Sequence, residues 1–210
     1  MSEMGRTGTE TKRTTAPAVR TESAAGALAD LDTQLMLQVR EGNREAASML
    51  FRRNSQRISR YIVRLVGDTR SAEDLTQDVF LQAIRHAPRY EPTAKVTTWL
   101  YRIATNTSLN YLKQASTARR TDLAPGAEMD VPDRHEPGPE QRINLDELKS
   151  QVAAAVRRLP VKQRVALTLF EYEDCSYEQI ATVLDVTVEA VRGLLLRART
   201  TLRQRLRTLI

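Results

Sequence analysis

Ser176–Arg199 reads SYEQIATVLDVTVEAVRGLLLRAR, and two helix starts separated by one tight turn are visible in it. Ser176 followed by Gln179 is a capping-box pattern, in which two side chains satisfy backbone N–H groups at a helix start. Tyr177, Ile180, Ala181 and Leu184 then share one helical face. Asp185 tolerates the left-handed conformation a tight turn needs, and Thr187 can cap a second helix. That helix sets Val188, Val191, Leu195, Ala198 and Leu202 inward and leaves Arg192, Arg197, Arg199 and Arg203 mostly outward. A helix with a basic outer face, held at an angle by a short turn, suits entry into the DNA major groove. The plainer alternative is a helical hairpin whose basic face is merely solvated.

Composition points the same way. A chain of 210 residues with 41% hydrophobic residues suits one large or two small domains. A net charge of +6 favours a polyanionic partner, nucleic acid or membrane surface. No apolar run reaches the length of a membrane span, and residues 1–30 have no apolar core of signal-peptide type. The expectation is a soluble, cytoplasmic chain with no membrane insertion. One cysteine, Cys175, excludes an intrachain disulfide and a Cys-based zinc site, and no cofactor or metal is expected. An enzyme has little support. His86 and His135 are the two histidines, and no nucleophile set, phosphate-binding glycine loop or metal-ligand spacing accompanies them.

The fold class this predicts is all-α, with two small helical domains joined by a flexible linker. Residues 1–31 are expected to be a disordered extension. The first module, 32–116, opens with Leu35, Met36 and Val39 ahead of Gly42. Ala46, Met49, Leu50, Ile58, Tyr61, Ile62, Leu65 and Val66 then align along a long helix ending at Gly67. Ser71 with Asp74 reads as a further cap, followed by Leu75, Val79, Ala83 and Ile84 on one face before Pro88. A third helix, from about Thr98 to Gln114, aligns Leu100, Ile103, Ala104, Thr107 and Tyr111. Between 117 and 140 the composition turns to Pro, Gly, Ala and acid, which leaves no room for a regular element. The second module, 141–210, has a helix over Leu145–Arg158, another starting with Pro160 in its first position, and then the helix-turn-helix.

Two polar patterns stand out in the first module. Asp74, Gln77 and Asp78, at i, i+3 and i+4, share one helix face, which either binds a partner or is simply solvated. Trp99, Tyr101 and Tyr111 accompany Lys95, Arg102, Lys113, Arg119 and Arg120 on or beside one helix. Aromatics can stack on unpaired bases while cations hold phosphates. Core packing is the equal alternative for Trp99.

Together these blocks resemble the extracytoplasmic-function branch of bacterial RNA polymerase sigma factors. Ala72–Phe80 (AEDLTQDVF) is similar to the polymerase-binding helix of region 2, and Trp99–Asn106 (WLYRIATN) to its promoter-melting helix. Leu159-Pro160, Gln163-Arg164, Tyr172-Glu173, Ser176–Ala181 and Arg197-Ala198-Arg199 resemble region 4. The resemblance implies a non-enzymatic, dissociable subunit that binds core polymerase through the β′ clamp coiled coil and the β flap. It implies core contacts at Asp74, Gln77, Asp78 and Phe80. It further implies minus-ten DNA contacts at Lys95, Trp99, Arg102, Asn106 and Lys113, with the loop Glu91–Thr97 receiving a flipped base. Minus-thirty-five contacts are implied at Tyr177, Arg192, Arg197, Arg199 and Arg203, and an anti-sigma factor is an expected partner. The two promoter elements lie roughly 50 Å apart, about one and a half DNA turns.

The chain departs from the family pattern in the recognition helix. Gly193-Leu194 stands where many relatives have a Ser-Arg pair, Leu196 where an aromatic or histidine is common, and Asn110 where an Asp is frequent. These positions bear on which sequence is read. The competing reading is a helix-turn-helix regulator that binds duplex DNA without polymerase, but it leaves the Asp74–Phe80 block and the aromatic-basic helix unexplained.

Overall fold

The computed structural model describes residues 30–122 and 145–207. The expected N-terminal extension lies almost wholly outside them, as does the linker from residue 123 onward. Among the described residues every regular element is helical.

Helix α1 spans Leu31–Arg40 and α2 spans Arg44–Val66, with Gly42 making the turn between them. Asn43 caps α2 by accepting from the N–H groups of Glu45 and Ala46. Gly67 ends it at φ 85°, a conformation that favours glycine, and a Cβ there would sit 2.8 Å from Cδ of Arg157, so that side chain would have to shift. Helix α3 spans Thr69–His86 and runs into a single 3-10 turn, Ala87–Arg89. Its cap is Asp68, which accepts from the Ser71 N–H. The expected Ser71–Asp74 cap is therefore corrected: the helix begins earlier, and the Ser71 hydroxyl instead meets the Tyr111 hydroxyl at 2.8 Å.

Helix α4 spans Val96–Asp122. It overruns the expected module boundary at 116, because the first helix breaker after it is Pro125. Leu100, Tyr101, Ala104, Thr105 and Ser108 face inward. With Leu50, Ile58, Tyr61, Ile62 and Leu65 of α2 and Leu75, Val79, Phe80 and Ala83 of α3, they form the first core. Asp32 is buried beside it, held by Arg53 at 2.6 Å and Asn54 at 3.0 Å. Two residues expected in this core are outside it. Met49 and Ile84 are exposed, each at the edge of its helix's apolar stripe.

The second module comprises α5 (Leu145–Arg157), α6 (Val161–Tyr172), α7 (Tyr177–Leu184) and α8 (Val188–Leu206). Pro160 is the N-cap of α6 rather than its first residue. Ser176 and Gln179 form a reciprocal capping box. Asp185 is left-handed at φ 54°, and Thr187 caps α8 through the Ala190 N–H. Val165, Leu169, Ile180, Val183, Val191, Leu195 and Ala198 fill the core between these helices.

The modules are in contact. Helix α7 packs along α4, while α6 and α5 pack against α2.

Candidate partner and nucleic-acid interfaces

On α3, the buried residues Ala72, Leu75, Thr76, Val79 and Phe80 leave Glu73, Asp74, Gln77 and Asp78 in solvent. Asp74, Gln77 and Asp78 thus form the polar stripe their spacing predicts. Phe80 does not project from it: its ring is almost fully buried and meets Phe51 edge-on, centroids 4.9 Å apart. Phe51 is itself exposed, as are Leu81 and Ile84 (59% and 47%). These apolar side chains, with Gln77, Phe80, Ala47 and Arg52, line an open groove of about 1110 Å³ between α2 and α3. The groove thus sets an apolar lining beside a polar stripe, the mixed chemistry that protein interfaces use.

On α4 and at its start, Lys95, just ahead of the helix, and Arg102, Asn106 and Lys113 are exposed, and Trp99 is half-buried. Their intervals of three, four and seven residues keep them on one side of the helix. Trp99 rests against Tyr90 at 5.4 Å and shows its other side to solvent, so packing and presentation coexist. Tyr101 is corrected. It is buried, edge-on to Tyr61 at 5.0 Å, and so offers no stacking surface. Tyr111 is half-buried with its hydroxyl on Ser71. The side chains of Arg119 and Arg120 lie outside the described set.

On α8, Arg192, Leu196, Arg199 and Arg203 recur at intervals of four, three and four and form a single exposed stripe. Leu196 is 68% exposed, an apolar residue in a basic row. Arg197 projects elsewhere, about 140° around the helix from Arg192 at 3.6 residues per turn. Its guanidinium folds back over Gly193, where a Cβ would lie 3.4 Å from it. Arg199 is engaged within the module: it pairs with Glu171 at 2.9 Å and covers the Phe170 ring at 5.1 Å. Arg192 lies 6.0 Å from the Tyr177 ring, and Tyr177 in turn leans on Phe170. Glu178 titrates below the usual carboxylate range, first because of its hydrogen bond to its own backbone N–H at the helix start, then because of Ser176 and the positive Arg192.

The pattern described as Sigma-70 region 2 matches residues 50–118, and that described as Sigma-70, region 4 matches residues 149–202. The RNA polymerase sigma-H factor of Pseudomonas aeruginosa is 36% identical over 85% of this chain and 95% of its own length. The chain belongs to the sigma-70 family, in its extracytoplasmic-function branch. The extracytoplasmic-function sigma-E factor of Escherichia coli (strain K12) is 31% identical over 85% of this chain and 96% of its own. Among solved structures, CnrH in complex with the cytosolic domain of CnrY has the same fold, with a TM-score of 0.64 at 23% identity over 85% of this chain and 99% of that one. The sigma factor RpoE in complex with the anti-sigma factor NepR, from Bartonella quintana, is similar at a TM-score of 0.58 and 21% identity over 76% and 96%. This chain is accordingly a sigma factor, a protein that directs promoter-specific initiation by RNA polymerase. Among its described residues no helix is long and apolar enough to cross a membrane.

A feature that sequence reasoning missed is Glu173. Its side chain is 5% exposed, accepts a hydrogen bond from the Tyr101 hydroxyl, and faces Arg57 and Arg64 at 3.4 and 3.5 Å. Local sequence gives no hint of this, since its partners lie 72 or more positions away. Burial, and next the hydrogen bond to Glu173, push the Tyr101 phenol well above its ordinary value.

Proposed function

We propose that this sigma factor divides its work among three exposed faces of different chemistry. The groove lined by Phe51, Phe80, Leu81 and Ile84, together with Asp74, Gln77 and Asp78, holds the β′ clamp coiled coil of core polymerase. Apolar contact supplies affinity there and the acids orient the partner. The α4 stripe receives the opened minus-ten strand, with Lys95, Arg102 and Lys113 on phosphates, Trp99 stacking and Asn106 hydrogen-bonding a base edge. The α8 stripe enters the major groove of the minus-thirty-five element. Arg192 reads a base, Arg203 neutralises phosphate, and Tyr177 supports Arg192 from α7. Arg197 unfolds from Gly193 to reach DNA, and Arg199 contributes after leaving Glu171.

The observation that carries this reading is the separation of the faces. One helix is acidic beside an apolar groove, one is basic with an aromatic, and one is basic on a helix-turn-helix. On this reading the chain acts in the cytoplasm as a non-enzymatic subunit, with module boundaries near 122 and 145. By analogy with the Bartonella sigma factor, solved with an anti-sigma factor, an anti-sigma factor is a further partner of this chain. The test is transcription in vitro from a promoter library by core polymerase plus this chain, with the transcript starts sequenced. Starts sharing two upstream elements are expected. Starts no different from those of core polymerase alone would overturn the proposal.

A further inference from the structure

The contact between the modules is built around a buried charge. Glu173 leaves α6 and projects into a junction of three elements. Arg57, Tyr61 and Arg64 come from one face of α2, at i, i+4 and i+7, and Tyr101 comes from α4. The Arg64 guanidinium also lies over the Tyr172 ring at 4.3 Å. Asp174, left-handed at φ 52°, turns the chain sharply behind Glu173, and the Cys175 N–H bonds back to the Leu169 carbonyl at 3.0 Å. The carboxylate thus presents itself to the first module from a fixed loop, and every polar partner named for its side chain belongs to that module. Such an arrangement is stable only while the partners stay together, because a buried carboxylate without them is strongly disfavoured.

This junction sets the distance between the two DNA-facing stripes. Helix α7 lies directly on α4, and α8 lies on α7. With neighbouring helix axes 8–10 Å apart, the α4 and α8 axes are within about 20 Å. The two promoter elements are roughly 50 Å apart. Where the three helices stack, the closed arrangement therefore holds the two stripes nearer to each other than the two elements lie. The 22 residues from 123 to 144 that join α4 to α5 reach on the order of 70 Å when extended, so the covalent connection permits separation.

We infer that Glu173, held by Tyr101, Arg57 and Arg64, is an intramolecular latch that keeps the free sigma factor closed and must release before two-element promoter binding. The inference rests on the proposed DNA faces for its consequence. The latch itself can be measured without DNA or polymerase. The experiment places a donor and an acceptor dye, through unnatural amino acids, at the exposed positions Arg85 and Gln204 of the full chain, and reads the single-molecule distance distribution. The parent is expected to populate one short-distance state. Glu173→Gln, and separately Arg57→Met with Arg64→Met, should raise the long-distance population about tenfold, the size of effect expected on loss of a buried polar contact, with circular dichroism unchanged. Should those variants lose helicity, Tyr101→Phe decides, since it removes only the hydroxyl and should open the chain in the same direction. A distance distribution identical to the parent's in every folded variant overturns the latch. So does a parent that is already open. Neither result touches the promoter assignment, which the transcription assay tests independently.

Discussion

Two surfaces of the first module differ in a way that hydrophobicity alone would have reversed. The groove between α2 and α3 is apolar, with Phe51, Leu81 and Ile84 open to solvent. The junction at Arg57, Tyr61, Arg64 and Tyr101 carries charge and hydroxyls, yet the chain covers it with its own second module. A protein that covers a polar surface and leaves an apolar one bare is not minimising its own exposed area. On the proposed function, the bare groove is kept for a partner that buries it stably. The polar junction is a contact that water and counterions can replace, so it can close and open again.

The sharpest way to break this comparison is at the groove's polar rim. Replacing Gln77 and Asp78 together with Ala should weaken binding to core polymerase by about 2–5 kcal/mol, if their partner charges stay buried in the complex. Helical content should be unchanged, since both side chains are exposed. Titration of core polymerase against labelled protein measures this, and parent-like affinity would mean the groove serves something else.

A smaller effect is expected on the recognition helix. Arg192→Ala should cost about 1–3 kcal/mol and relax selectivity at one base position. Arg199→Ala should cost less, because Arg199 must first give up Glu171 and Phe170. Binding to a minus-thirty-five library at several salt concentrations separates the two. Equal losses on every sequence would demote Arg192 to a phosphate contact.

The smallest effect concerns pH at the junction. Burial, and then the nearby Glu173 charge, push the Cys175 thiol up to about 11, while Tyr101 moves in the same direction. A raised value means that the folded chain favours the neutral form. The associated stability is complete below the unfolded thiol's value, about 8.5, and declines as the pH climbs toward 11. Thermal melts across that window should show a falling midpoint. Cys175→Ser should shallow the slope, and an unchanged slope would mean that the thiol plays no part in it.

How much of this could be read from the sequence depends on the range of the interaction concerned. The Ser176–Gln179 box, the Asp185 turn and the Thr187 cap were legible because their partners lie within five residues. The α3 cap was misread because Asp68 and Ser71 offered overlapping signals, and only the helix start at Thr69 decides between them. Periodicity put Met49 and Ile84 in the core because it identifies an apolar face without saying what covers it. The reverse happened at Tyr101. An aromatic beside basic residues looked like a stacking platform, and a carboxylate 72 positions away turned it into a buried donor. Lys95, Arg102, Asn106 and Lys113 repeat at helical spacing, and among the described residues no element covers their side, so their exposure was legible.

One measurement reaches both surfaces at once. Amide hydrogen exchange on the free chain and on the chain bound to core polymerase reports which backbone segments gain or lose protection. The account predicts that segments 44–52 and 77–84, which line the groove, gain protection on binding. The junction segments 101–105 and 173–177 should lose it as the latch releases. Unchanged protection at the groove, with a junction as protected in the complex as in the free chain, would contradict the account.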